Sequence, residues 1–290
     1  MKIGVFGNKY QENRSEQIKR VFGQLLKLEQ EVWVEEDFFH HLTTQLSFEP
    51  EVQGLICDNE FDIDIALSLG GDGTFLRTAA LIGKRSIPIV GFNAGSLGFL
   101  ADIPDDAIEQ ALEEIAGKEY RIEERALLKL KTDENLFQGF NYALNEIAVL
   151  KRDTSSMILI HTYLNDEYLA SYRADGLIVS TPTGSTAYSM SVNGPIIVPA
   201  AQSLVISPIA PHSLTVRPLV IPDEYKITLD VESRSRNFRV AIDGHSEVFS
   251  AGTRLSICKA NHTVRVIKRK SQSFYDTLRN KLMWGSDNRN

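Results

Sequence analysis

The spacing of apolar residues changes character part-way along the chain. In the first hundred residues, short apolar runs alternate with stretches in which apolar positions recur every three to four residues. Lys2–Phe6, Glu31–Glu35, Asp64–Leu69 and Ile87–Gly91 have the length and content of strands. Ser15–Leu28 puts Ile18, Val21, Phe22, Leu25 and Leu26 on one helical face. Thr74–Ile82 and Pro104–Ala116 carry the same period, with Pro104 and Asp105 suited to a first turn and Gly117 to an end. Residues 37–60 are mixed and predict a loop with some helix. Strands alternating with helices predict an α/β domain with a parallel, doubly wound sheet.

From Tyr120 to about Lys270 the pattern becomes many short strands. Asp133-Glu134-Asn135, Asn165-Asp166, Asp243-Gly244 and Asn261-His262 are the predicted turns. This predicts a second, mostly β domain. Phe274–Trp284 returns to helical spacing through Leu278, Leu282 and Met283. The predicted organisation is therefore 1–102, an α/β domain; 103–269, a mostly β domain; and 270–290, a helical segment returning to the first domain. Lys268-Arg269-Lys270 reads as a solvated charge cluster.

Bulk properties narrow the class. At 290 residues the chain can hold two modest domains or one large one. A net charge of −7 argues against a general nucleic-acid binder, which needs a basic surplus. Cys57 and Cys258 are far apart and make no metal-ligand spacing, which fits a reducing cytoplasm. No apolar segment follows a basic start, so no signal peptide is expected. Pro195–Pro211 is broken by prolines, Gln202 and serines and is no membrane span. The histidines are scattered without metal spacing, so no protein-held metal is expected.

The candidate chemistry begins at Ser68-Leu69-Gly70-Gly71-Asp72-Gly73-Thr74-Phe75-Leu76-Arg77. A strand enters three glycines around one aspartate and a helix follows. Glycines let a ligand approach the main chain, and a helix start offers free N–H groups to an anion. Asp72 would repel that anion unless it takes a proton or holds a metal. The plainer alternative is a turn in which Asp72 caps the helix. A second glycine-rich loop, Gly91-Phe92-Asn93-Ala94-Gly95-Ser96-Leu97-Gly98-Phe99-Leu100, follows the next strand, and the two loops would face one cleft.

The β region holds Tyr172-Arg173-Ala174-Asp175-Gly176, then Leu177 to Thr181, and Pro182-Thr183-Gly184-Ser185-Thr186-Ala187-Tyr188-Ser189-Met190-Ser191. Its hydroxyls and glycine amides can bind the polar parts of a nucleotide without repelling its charge, and Ala187 leaves room for a flat base. A solvent-exposed polar loop is the alternative. Asn145-Glu146 lies inside an apolar run. That pair can grip a ribose diol or an adenine edge, or simply face outward from a strand. Arg173 and Asp175 would share a strand face, where a salt bridge is the simple reading. There is no Walker loop, no complete Gly-x-Gly-x-x-Gly and no Gly-x-Ser-x-Gly elbow.

Together Gly70-Gly71-Asp72-Gly73-Thr74, Asn93 to Leu100, Asn145-Glu146, and Asp175-Gly176 through Ser191 resemble the NAD kinase family, in order and in spacing, from about Ile65 to His245. Ser273-Phe274-Tyr275-Asp276-Thr277-Leu278-Arg279 is similar to that family's closing segment. Gly-Gly-Asp-Gly alone also occurs in lipid kinases and phosphofructokinases; the run from Ser180 to Tyr188 is the specific part. The resemblance implies transfer of the γ-phosphoryl of ATP to the 2′-hydroxyl of NAD's adenosine ribose. It also implies a divalent metal, magnesium, arriving with ATP, and a homo-oligomer, dimer or tetramer. The implied fold is an α/β domain followed by a β-sandwich-like one.

The resemblance makes Asp72 the base. Gly73 would give the acceptor access to the backbone, Arg77 would neutralise a phosphate, and Phe99 would lie in the binding loop. It implies Asn145 and Glu146 for ribose and adenine, and Asp175 with Arg173 for the nicotinamide side. Thr183, Thr186, Ala187, Tyr188, Ser189, Met190 and Ser191 would line the dinucleotide, with Ala210 and His245 also touching it. His245 departs from the glutamine common at its position. Two readings compete: a related kinase acting on a lipid or sugar, and a dinucleotide-binding sensor without catalysis. The hydroxyl-rich loop speaks for a polar acceptor, and the presence of Asp72 speaks against a sensor.

Overall fold

The computed structural model describes residues 1–8, 15–58, 60–93, 98–133, 136–153 and 156–285. The first elements are β1 (Lys2–Gly7), α1 (Ser15–Lys27), β2 (Glu31–Glu35), α2 (Glu36–Thr44), β3 (Gly54–Ile56), β4 (Ile65–Gly70), α3 (Asp72–Ile82), β5 (Ile89–Asn93) and α4 (Ile108–Ala116). The five strands form a parallel sheet in the order β5-β4-β1-β2-β3. All of β4 and β5 is buried, as expected for parallel strands covered on both faces. α1 buries Ile18, Val21, Phe22 and Leu25, each contributing about 1.5–3 kcal/mol by transfer from water. Leu26, expected on that face, is 57% exposed because one further residue turns it about 100° away. Within 37–60 the helical part is α2, which buries Phe38 and Leu42. That stretch also holds β3, three residues long and too short for periodicity to reveal.

The chain continues through β6 (Tyr120–Lys131), β7 (Tyr142–Ala143), β8 (Glu146–Lys151), β9 (Ile158–Leu164), β10 (Glu167–Ala174), β11 (Gly176–Ser180), α5 (Tyr188–Ser191), β12 (Ser203–Ile209), β13 (Leu219–Pro222), β14 (Ile227–Glu232), β15 (Asn237–Ile242), β16 (His245–Ser250), β17 (Arg254–Arg269) and α6 (Phe274–Leu282). Two compact units result: Met1–Glu124 with Val264–Asn290, and Arg125–Thr263. The domain boundary expected at residue 102 falls inside the first unit, where Arg20 of α1 holds Glu109 of α4 through two bonds of 2.8 Å. In the second unit, β13-β12-β11-β8-β15-β16 form one antiparallel sheet, while β10, β9, β14 and the start of β17 form another. Inward residues of both, among them Val149, Val179, Ile160, Leu229 and Phe238, make one core.

Asn165-Asp166 and Asp243-Gly244 are hairpin turns with positive φ, as their residue types favour. Asn261-His262 is no turn: both lie inside the 16-residue β17. Part of the predicted turn at 133–135, Glu134 and Asn135, lies outside the described residues. In the basic run only Lys270 is exposed. Lys268 Nζ sits 2.6 Å from Asp102 Oδ2 with both side chains 7% exposed, and Arg269 pairs with Glu114 at 2.8 Å. Among the described residues no helix is long and apolar enough to cross a membrane.

Candidate active site

Three glycines bracket Asp72 where β4 passes into α3. Gly71 is the N-cap, and its carbonyl accepts the N–H groups of Thr74 and Phe75. Asp72 does not cap its own helix. Its carboxylate reaches instead to the loop after β5. Phe99 N–H donates to Oδ2 at 2.9 Å, and Leu100 and Ala101 N–H donate to Oδ1 at 3.0 and 2.9 Å. Three consecutive amides therefore meet the charge that seemed misplaced in an anion-friendly turn. A carboxylate offers about four lone-pair positions, so Oδ2, which accepts one N–H, keeps acceptor capacity to spare. Apart from the adjoining residues and the backbone of α3 itself, no atom of the described residues lies within 4 Å of where a Cβ would stand at Gly71 or Gly73, so this side of the turn is open.

The loop can come this close because residue 98 has no side chain. A Cβ on Gly98 would stand 2.0 Å from Asp72 Oδ1 and 2.8 Å from Ala101 O. Gly98→Ala is expected to push the carboxylate off its amides and, if that carboxylate takes part in the reaction, to lower turnover about 10²-fold. Steady-state rates beside a melting curve check this; wild-type turnover in the variant rejects the geometry. Ala94–Leu97 of the same loop lie outside the described residues. Arg77, one turn into α3, is engaged elsewhere: it forms a two-pronged pair with Glu35 and donates to Gly7 O at 2.6 Å. Phe99 sets its ring at a tilt to that of Phe274 of α6, with centroids 6.2 Å apart.

In the second unit the structure collects Asn145, Glu146 and the Thr183–Ser191 segment around one end of β8 and β11, where Glu146 pairs with Ser180. Thr181 ties the segment down: its N–H donates to Asn145 O at 2.9 Å and its hydroxyl to Leu144 O at 2.6 Å. Gly184 packs so tightly that a Cβ would stand 2.1 Å from Asn145 O. Thr186 Oγ1 bonds Thr183 O, Ser189 is buried against Ser207 at 3.0 Å, and Ser191 bonds Tyr188 O. Ala187 and Met190 belong to the same turn, the N–H of Met190 donating to Ala187 O. Glu146 Oε2 is buried with no partner among the described residues. Burial, and then the Asp243 charge, push the Glu146 carboxyl up to about 7.

Asp243 read from sequence only as a turn residue. Its carboxylate accepts the N–H groups of Leu144, Asn145 and Glu146 at 2.7, 2.9 and 3.0 Å and so fixes that segment. Burial pushes its carboxyl up to about 6 against those bonds. His245 follows on β16, exposed, with its ring 5.8 Å from Phe137. Arg173, Asp175 and Ala210 gather at the other end of β11, where Asp175 N–H donates to Ile209 O. Four residues of strand put that end about 13 Å from the Glu146 end. Asp175 pairs with Lys151 at 2.7 Å rather than with Arg173. Among the described residues no three His, Cys, Asp or Glu side chains converge to hold a metal.

Comparison with known proteins agrees along nearly the whole chain. Residues 3–120 match the model of the ATP-NAD kinase N-terminal domain, and 144–269 that of the ATP-NAD kinase C-terminal domain. An NAD kinase of Bacteroides fragilis is 50% identical over 289 residues, covering 100% of both chains. The crystal structure of an NAD kinase from Archaeoglobus fulgidus in complex with ATP superposes with a TM-score of 0.78 at 27% identity, covering 98% of this chain and 99% of that one. Yeast NADH kinase complexed with NADH shares the fold, with a TM-score of 0.87 at 22% identity over 99% of this chain and 89% of the other.

Proposed function

The chain belongs to the NAD kinase family, and from that premise we propose how it moves the γ-phosphoryl of ATP to the 2′-hydroxyl of NAD's adenosine ribose: Asp72 receives the hydroxyl's proton. The observation that carries this reading is the carboxylate held by three loop amides with one acceptor position on Oδ2 left over. As the ribose oxygen bonds to phosphorus its proton becomes acidic, so a weak base in the right place suffices. The rest is positioning and charge neutralisation, since phosphoryl transfer asks little covalent work of a protein. Magnesium would come on the nucleotide's phosphates and offset their charge. Gly73 leaves the backbone open to the acceptor, Phe99 lines the approach, and Arg77 needs release from Glu35 before it meets a phosphate.

Asn145 and Glu146 hold the ribose and adenine in this reading. The buried, unpartnered Glu146 Oε2 is an acceptor waiting for a donor, and a ribose diol supplies one. Thr183, Thr186, Ala187, Tyr188, Ser189, Met190 and Ser191 line the dinucleotide; Arg173, Asp175, Ala210 and His245 make its outer contacts. A homo-oligomer, dimer or tetramer, belongs to the same proposal: β13 is a sheet edge with Leu219 and Val220 exposed, a surface a second copy can cover. A cytoplasmic home is supported by two free cysteines. Purified protein with magnesium, ATP and NAD is expected to make NADP, read with an NADP-specific dehydrogenase. Folded protein that makes none sinks the reading.

Glu146 also predicts a pH dependence. The folded protein keeps a proton up to about 7 that the unfolded chain releases near 4.5. Stability therefore falls as pH rises through that window and is lowest above it. The full difference is about 3 kcal/mol for a shift of this size. Glu146→Gln, which cannot ionise, is expected to flatten the fall between pH 5 and 8 in melting temperature. Parallel curves for the two proteins reject the assignment.

A further inference from the structure

Resting on that reading of Asp72, we propose that Lys281 is the cation that meets the transferred phosphoryl group. Its ammonium stands 3.8 Å from Asp72 Oδ2, the oxygen with acceptor capacity to spare, and 4.8 Å from the centroid of the Phe99 ring. A phosphorus atom bonded to a hydroxyl that touches Oδ2 must come close to any cation beside Oδ2.

The position of Lys281 is built, not incidental. α6 starts with a full capping box, in which Ser273 accepts the Asp276 N–H and Asp276 accepts the Ser273 N–H. Thr277 and Leu278 are buried beneath it. Gln272, just before the helix, donates to Asp102 O at 3.0 Å, and Lys268 holds the Asp102 carboxylate. Asp102 directly follows Ala101, whose N–H grips Asp72. The Phe99–Phe274 contact adds a third tie. The loop that holds the base and the helix that carries the lysine are thus fastened together, so Lys281 is presented to Asp72 by the same residues that orient Asp72.

Its chemistry fits the task. At 3.8 Å the ammonium attracts Asp72 without a hydrogen bond to it, and both side chains are about a third exposed, so the pair is weak and readily exchanged for a more highly charged partner. A lysine binds phosphate as a mobile point charge. Arg77, the neighbouring cation on α3, is already bound to Glu35 and Gly7. In the transfer, a lone pair of the 2′-oxygen forms the new bond to the γ-phosphorus. The bond from that phosphorus to the bridging oxygen breaks, and its electrons leave with ADP. The hydroxyl proton passes to Asp72 Oδ2. Lys281 stays protonated throughout and shifts from Oδ2, whose charge the proton cancels, to the phosphoryl oxygens, whose charge needs it.

Lys281→Met and Lys281→Arg test this beside wild type. Lys281→Met is expected to lower kcat about 10²-fold, as loss of one charge stabiliser at a phosphoryl centre does, with KM for NAD within about threefold. Lys281→Arg is expected to recover at least about a tenth of wild-type kcat, since it restores the charge. Melting temperatures should stay close to wild type, because the side-chain tip carries no buried contact. Unchanged kcat in Lys281→Met overturns the inference. So does an equal loss in both variants with a lowered melting temperature, which marks a merely structural lysine. A wild type that makes no NADP overturns the parent reading, and this one with it; an active wild type with an active Lys281→Met overturns this one alone.

Discussion

Asp72→Asn is expected to retain the fold and lose NADP formation by about 10²–10⁴-fold at saturating ATP and NAD, the range for removing a general base. The three amides dictate how the new side chain sits. Leu100 and Ala101 both donate to the Oδ1 position, so the asparagine oxygen goes there and its NH₂ takes the place of Oδ2. That NH₂ then faces the Phe99 N–H, donor against donor, and it points a hydrogen where the substrate's proton should be received. The structural penalty is one orphaned amide, about 1–3 kcal/mol when buried and toward the low end at a side chain 30% exposed. A modest fall in melting temperature with a thousandfold fall in rate is the signature sought. Full activity in the variant would keep the kinase and remove Asp72 as its base. Asp72→Ala, which frees all three amides, should be less stable than Asp72→Asn and no more active.

Lys268→Met should give the largest stability loss of the variants considered. The Lys268–Asp102 pair is 2.6 Å long with each side chain only 7% exposed. Removing the ammonium strands a carboxylate away from water, and breaking a buried pair from one side costs about 3–5 kcal/mol. For a chain of this size that lowers the melting temperature by on the order of 10 °C. The paired change Lys268→Met with Asp102→Leu removes both charges and should recover most of the loss, since the isolated charge and not the missing bond is the main penalty. A single variant as stable as wild type, or a double variant no better than the single, contradicts this account. Because Asp102 adjoins Ala101 and receives Gln272, the single variant should also disturb the Asp72 loop. Its rate at a temperature well below its melting point measures that coupling.

Much of the arrangement was legible in the chain itself. Alternating strand and helix periods determined a parallel sheet in the first unit. The glycines around Asp72 determined a tight strand-to-helix turn, and Asp243-Gly244 determined a hairpin. The hydroxyl-rich run from Ser180 to Ser191, with Asn145-Glu146, supplied the candidate polar contacts of the second unit. These are local signals: they follow from side-chain period, backbone freedom and residue chemistry over a few neighbouring positions.

The tertiary structure alone decided which polar groups meet. Asp72 finds its amides 27 to 29 residues onward, Asp243 finds Leu144–Glu146 nearly a hundred residues back, and Lys268 finds Asp102 across 166 residues. Lys268 and Arg269 looked solvated because basic runs usually are, and only a partner brought by folding lets such a charge be buried. Lys281 carries no local mark of a role, and only the docking of its helix sets it beside Asp72. Apolar periodicity tells each element which face to bury, but it carries no label for the distant carboxylate or amide that will satisfy a given charge. That match is made by the geometry of the assembled chain, where every buried polar atom must find a partner or remain a site for one.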